Sequence, residues 1–217
     1  MPISAIHHEV KNFELKSKNL ANLPVSMNGV ILDQELNEDG KGFTILRVWG
    51  TYYEMGYAQA ELLGDSIVKS ITEVKEYIGD EYGQTRDVLK DAIWMPPEIE
   101  DTFQGMVDCL AVSYPRENID DLDLKLLNTL PDWSYACRSH TCWGRYVSEP
   151  KKTLSTRRLD FQVPFSSGYH HVLCVYNPTD ESPQWINFGF PGVIVTITGV
   201  NEFGTIVSLH DYQSTIT

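Results

Sequence analysis

An α+β fold, with helices concentrated in the first part and short strands in the last, is what this chain of 217 residues predicts. Three observations predict it. Leu63, Ile67, Ile71, Val74 and Ile78 recur at the spacing of one helical face. From Ser139 onward the apolar residues instead come in short runs broken by Pro, Gly and Asn clusters, the texture of strands and turns. The charge changes at the same place: residues 1–136 carry 11 basic against 24 acidic side chains, and residues 137–217 carry 6 of each. The chain therefore divides into an acidic, mainly helical segment, 1–136, and a β-rich segment, 137–217, which together form one composite domain. With 42% hydrophobic and 22% charged residues it has the composition of an ordered globular protein large enough to bury a sizeable core.

Taken in order, residues 1–29 have weak periodicity and read as an extended arm. Gly42 to Trp49 alternates as a strand and stops at Gly50. Thr51 and Glu54 then have the spacing of a capping box, in which hydroxyl and carboxylate each satisfy an orphan amide, so a long helix starts here. Gly56 and Ala60, one turn apart, leave a bare patch suited to close packing of another backbone. A short helix from Val88 to Met95 stops at Pro96 and Pro97, a longer one runs from Glu98 to Val112, and a third spans Asp120 to Leu130, opened by acids that suit the helix dipole. Strands are expected at Ser139–Val147, Thr153–Phe161, His170–Tyr176, Gln184–Phe190, Gly192–Thr198 and Thr205–His210.

The net charge of −13 repels phosphate backbones and anionic lipid, which argues against nucleic-acid and membrane partners. No apolar run approaches the ~20 residues that span a bilayer, and the first residues lack the pattern of a signal peptide, which slightly favours the cytoplasm. The four cysteines, Cys109, Cys137, Cys142 and Cys174, read as free thiols, with Cys109 in an apolar setting that makes it inert. Cys137, His140 and Cys142, and separately His170, His171 and Cys174, supply zinc-ligand types. Their spacing matches no familiar knuckle, and strand alternation sets Cys137 and Cys142 on opposite faces, so neither a metal nor another cofactor is expected.

The chemistry concentrates between Ala136 and Phe161. Cys137 heads a β-patterned segment, and the next one carries Arg157 and Asp160. If the chain is cut before Cys137, one residue holds both a thiol and a free α-amine. That amine, with an ordinary pKa of ~7.7–8.0, takes the thiol proton near neutral pH. Arg157 would favour the thiolate by charge, and Asp160 could hold the amine in place. The alternative is structural: Arg157 and Asp160 form a surface pair of little worth, and Cys137 is a small buried residue.

Five blocks in order then resemble one family: Gly50 to Leu63, Pro97 to Gly105 with Leu127 to Asp132, Cys137 to Gly144, Arg157 to Phe161, and Thr198 to Gly204. The chain resembles the acyl-coenzyme A:6-aminopenicillanic acid acyltransferases, the isopenicillin N acyltransferase-like group of N-terminal-nucleophile hydrolases. These are related more distantly to choloylglycine hydrolases and acid ceramidase. The resemblance implies an αββα sandwich and autocatalytic cleavage between Ala136 and Cys137. It makes Cys137 the nucleophile flanked by Arg157 and Asp160, and puts Asn201 at the oxyanion site. It implies an amidohydrolase or acyltransferase acting on a small N-acyl compound.

Acid ceramidase-like spacing would make Cys142 the nucleophile instead, whereas Trp143-Gly144 favours Cys137. Three departures from the pattern, Arg138, Arg158 and the His210-Asp211 pair, motivate a second expectation, a catalytically idle relative serving as a binding or assembly module. Because the family's sheets need strands beyond position 217, a further segment or a second chain is expected to complete the fold.

Overall fold

The computed structural model describes residues 25–129, 135–149, 151–161 and 169–210, so most of the expected N-terminal arm lies outside the described residues. The fold is α+β. Strands β1 (Val25–Ser26), β2 (Gly29–Leu36) and β3 (Gly42–Gly50) open the chain as an antiparallel meander. Helices α1 (Tyr52–Ile78), α2 (Tyr82–Ala92), α3 (Pro97–Ser113) and α4 (Asp121–Thr129) follow. Strands β4 (Tyr135–Trp143) and β5 (Thr153–Phe161) make a separate hairpin, and β6 (His170–Pro178), β7 (Trp185–Gly189), β8 (Thr198–Asn201) and β9 (Ile206–Ser208) return to the first sheet. That seven-stranded sheet has the order β1-β2-β3-β6-β7-β8-β9. It takes three strands from before residue 136 and four from after it.

The join between the two groups is the parallel pair β3–β6, in register from Gly42 opposite His170 to Gly50 opposite Pro178. Alternate residues of both strands, Thr44, Leu46 and Val48 on β3 and His170, Val172, Cys174 and Tyr176 on β6, are buried. They meet α1, whose Met55, Leu63, Ile67, Ile71 and Val74 are buried in the same core. The capping box forms as the sequence predicts: Glu54 N donates to Thr51 Oγ1 at 3.2 Å and Thr51 N donates to Glu54 Oε2 at 2.8 Å. Only Leu63 (φ −123°, ψ 15°) departs from helical geometry within α1.

Gly56 explains the bare patch. A Cβ there would lie 2.0 Å from the Thr102 carbonyl oxygen, and one at Gly105 would lie 2.0 Å from that of Tyr53. Helices α1 and α3 thus touch backbone to backbone, a packing role for the small residues. At the far end, buried Asp123 of α4 accepts from Lys75 Nζ at 2.8 Å and Arg86 Nη1 at 2.6 Å, and also from the Tyr82 hydroxyl. Arg86 also pairs with Asp120, which ties α1, α2 and α4 together.

Three local expectations are corrected. The segment expected as a strand from Gly192 is irregular up to Ile197, because its backbone groups are taken by a side chain: Asn128 Oδ1 accepts from Ile194 N at 2.8 Å and Val195 N at 3.1 Å, and its Nδ2 donates to Gly192 O at 2.8 Å. Strand β4 begins at Tyr135 and ends at Trp143, where Gly144 (φ 61°) turns the chain into a 3₁₀ turn. The short helix before Pro96 starts at Tyr82 rather than Val88.

Candidate functional site

The β4–β5 register decides which expected site residues come together. Ala136 pairs with Asp160, Cys137 with Leu159, Ser139 with Arg157, and Cys142 with Leu154. Directly opposed residues in an antiparallel pair share a face, and successive positions alternate between faces. Position 137 and Arg157 therefore fall on one face, one step apart along the hairpin. Cys142, His140, Arg138 and Arg158 take the other parity, as does position 160, whose backbone lies opposite the residue preceding Cys137.

Among the described residues, Arg157 links the hairpin to the segment that follows β9. Its Nη2 donates to the Leu209 carbonyl at 2.8 Å, and Leu209 N in turn donates to Ile197 O at 2.9 Å. Arg157 lines a cleft of about 420 Å³ between the hairpin and the sheet. Ser155 and Arg157 form the hairpin wall, and Ile186, Phe188, Thr198, Val200, Ile206 and Ser208 contribute from β7, β8 and β9. This is the sheet face turned away from the helices. Its register runs Ser208, Thr198, Phe188 across one row and Ile206, Val200, Ile186 across the next.

Asn201 is placed differently. It ends β8 opposite Trp185, with the parity that faces the helices, and its Oδ1 accepts from Phe203 N at 3.1 Å and Thr205 N at 2.9 Å. Its carbonyl is thus committed to closing the β8–β9 turn. Asn201 lines a second cavity of about 330 Å³, together with Tyr52, Ser182 and Trp185. Trp185 stacks on Tyr176 at 4.5 Å between ring centroids, which makes that wall rigid.

The other candidate ligands do not converge: among the described residues no three His, Cys, Asp or Glu side chains are grouped to hold a metal ion. His170 shares a hydrogen bond with Thr44 Oγ1 at 2.9 Å, and burial, with His171 and Lys69 nearby, lowers its pKa to about 4. His171 stacks on Phe188 at 5.5 Å, and burial lowers its pKa too. Cys174 is fully buried, and desolvation pushes its thiol far up, so it is no nucleophile. Cys109 is also buried and its thiol is raised by desolvation and by Glu61. Cys142 is half-buried on β4.

Two residues escaped the sequence reading. Asn128 holds the segment whose Ile197 supports Leu209, and so stands behind Arg157 through a chain of hydrogen bonds. A polar amide among Leu124, Leu126 and Leu127 on a short amphipathic helix was the available signal. Thr198 has a buried hydroxyl with no hydrogen-bond partner among the described residues. No family model matches the chain, and no curated protein matches it.

Proposed function

We propose that the chain is an autoprocessing cysteine N-terminal-nucleophile amidohydrolase or acyltransferase of the isopenicillin N acyltransferase-like type. In this reading the β4–β5 hairpin starts the second sheet of an αββα sandwich, laid over the sheet face that the helices leave open. The observation that carries the reading is the hairpin register, which sets position 137 and Arg157 on one face; position 160 takes the other parity, so the register gives no support to the expected role of Asp160 beside Cys137.

Maturation begins when the Cys137 thiol attacks the Ala136 carbonyl carbon. The peptide C–N bond breaks as a thioester forms, and the nitrogen takes up the thiol proton to become the free Cys137 amine; water then hydrolyses the thioester, releasing the Ala136 carboxylate and the Cys137 thiol. In turnover that amine accepts the thiol proton, and the thiolate adds to the substrate's acyl carbon. The amine then returns the proton to the departing nitrogen, and water or an acceptor amine takes the acyl group. Arg157, held by Leu209, favours the thiolate by its charge. Asn201 faces the helices, away from the Arg157 cleft, and closes the β8–β9 turn with its Oδ1, so the oxyanion is left to backbone amides.

N-terminal sequencing and intact-mass measurement test this directly. A terminus at Cys137 is expected in the wild type and absent in Cys137→Ala; cleavage that persists in Cys137→Ala and disappears in Cys142→Ala transfers the role to Cys142. Full activity in both variants refutes the reading. The catalytically idle alternative is favoured by Arg138 and Arg158, paired across the hairpin where the resembled family carries a small hydroxyl residue and an asparagine.

A further inference from the structure

We infer that Asn128, on the helix that ends ahead of the proposed cleavage point, is a positioning residue for Arg157: it fixes the segment from which the guanidinium is held and so sets the charge that position 137 meets. The role of Cys137 in this inference rests on the proposed reaction, but the coupling between the two side chains can be measured without it.

Residues 190–197 join β7 to β8 without a strand ladder, so other groups have to fix them. Asn128, buried on α4, makes the short bonds. Its Oδ1 accepts from Ile194 N at 2.8 Å and Val195 N at 3.1 Å, while its Nδ2 donates to Gly192 O at 2.8 Å. From β7, Asn187 Nδ2 reaches Ile194 O and Val195 O only at 3.4 and 3.5 Å, the long end of hydrogen-bonding range. The segment also lies hard against α4, because a Cβ at Gly192 (φ 79°) would stand 2.8 Å from Leu127 Cδ2.

The fixed segment ends at Ile197, whose carbonyl accepts from Leu209 N at 2.9 Å, and Leu209 O accepts from Arg157 Nη2 at 2.8 Å. A displacement of residues 192–197 is therefore passed on to the carbonyl that holds the guanidinium. Position 137 is the diagonal neighbour of Arg157 on one hairpin face, a separation that a long side chain spans. Arg138, Arg158 and position 160 take the other parity, and Arg157 is the only charged side chain lining the cleft among the described residues. No other cation there would replace a displaced Arg157. Asn128 precedes the proposed cleavage point and Arg157 follows it, so the relay makes the first piece a lasting part of the site.

The test follows alkylation of Cys137 by iodoacetamide against pH in the full chain carrying Cys142→Ser, with the modified peptide counted by mass spectrometry. Arg157→Ala should raise the midpoint of the profile and slow alkylation at neutral pH about threefold or more, since losing a nearby cation disfavours the thiolate. Asn128→Ala should do the same. The double variant should be no slower than Arg157→Ala alone, because residues that act through one group are not additive. Thermal midpoints show that each variant is folded at the assay temperature; where Asn128→Ala is not, Asn128→Ser, which keeps a polar group, takes its place. Gly105→Ala, which disturbs the distant α1–α3 contact, should leave the profile where it is. A shift of the same size there would make the effect of Asn128 a general loosening and overturn the assignment. An unshifted Asn128→Ala, or a double variant slowed by the product of the single effects, overturns it too. An unshifted Arg157→Ala removes the charge from the proposed reaction and the positioning with it. Coupled shifts without a Cys137 terminus in the wild type retain the positioning and remove the reaction. A Cys137 terminus with additive shifts does the reverse.

Discussion

Asn128 uses both ends of its amide at once, donating to Leu124 O and Gly192 O and accepting from Ile194 N and Val195 N. Removing the amide strands buried backbone groups that have no water to turn to. Asn128→Ala should therefore cost about 2–4 kcal/mol, read as a lower denaturation midpoint with unchanged slope. Asn201 permits a sharper separation of roles. Asn201→Asp keeps the oxygen that closes the β8–β9 turn, so stability should hold, whereas Asn201→Ala removes it and should cost about 1 kcal/mol in denaturation. His170 gives a pH signature. Its folded pKa of about 4 lies below the ordinary value of 6.5, so between those values the unfolded chain binds the extra proton. Stability from this site is full above pH ~6.5 and lost as pH falls towards 4, with a slope of at most ~1.4 kcal/mol per pH unit. His170→Gln should flatten that part of the denaturation profile.

At the scale of elements, α1 and α3 come together because two glycines face two carbonyls. Gly56→Ala or Gly105→Ala would put a methyl group 2.0 Å from a backbone oxygen, which no side-chain rotation relieves. The helices must then separate, and a loss of roughly 1–3 kcal/mol, of the size known for overpacked cores, should appear in thermal denaturation. What the sequence made legible here follows from local physics. The Thr51–Glu54 box marks the start of α1 because capping needs only residues three apart. Strands β3, β5, β6 and β7 carry enough alternation or turn punctuation to be found. The rest depended on distant partners. Strand β2 mixes Asp33, Gln34 and Glu35 into its run and bulges between Ile31 and Asp33, so its pattern fades at an edge that β1 only partly covers. Residues 192–197 have strand-like composition but lose their ladder to Asn128, sixty-odd positions earlier. In the site, the placing of Cys137 and Arg157 on successive β segments was legible, whereas their register, the Leu209 anchor and the orphan Thr198 hydroxyl have no local signature.

For the whole molecule the decisive feature is that the proposed cleavage point does not coincide with a structural boundary. The large sheet runs β1-β2-β3 from before Ala136 and β6 to β9 from after Cys137, and its seam is a nine-position parallel pairing, Gly42 to Gly50 against His170 to Pro178. Parallel strands are stable when both faces are covered, and the core face of this pair packs against α1, which belongs to the first piece. Cutting one peptide bond removes none of these contacts: Leu46, Val48, Val172 and Tyr176 stay buried against Met55 and Ile67. The second piece by itself would expose the core face of β6, so it has no sufficient core of its own. Processing at Ala136 should therefore give two bands on a denaturing gel but one species of the full mass, 24.7 kDa with one added water, by native mass spectrometry. Expressed separately, residues 137–217 should be unfolded by circular dichroism and should regain structure on mixing with residues 1–136. Spontaneous separation of the cleaved pieces at neutral pH without denaturant would contradict the shared sheet.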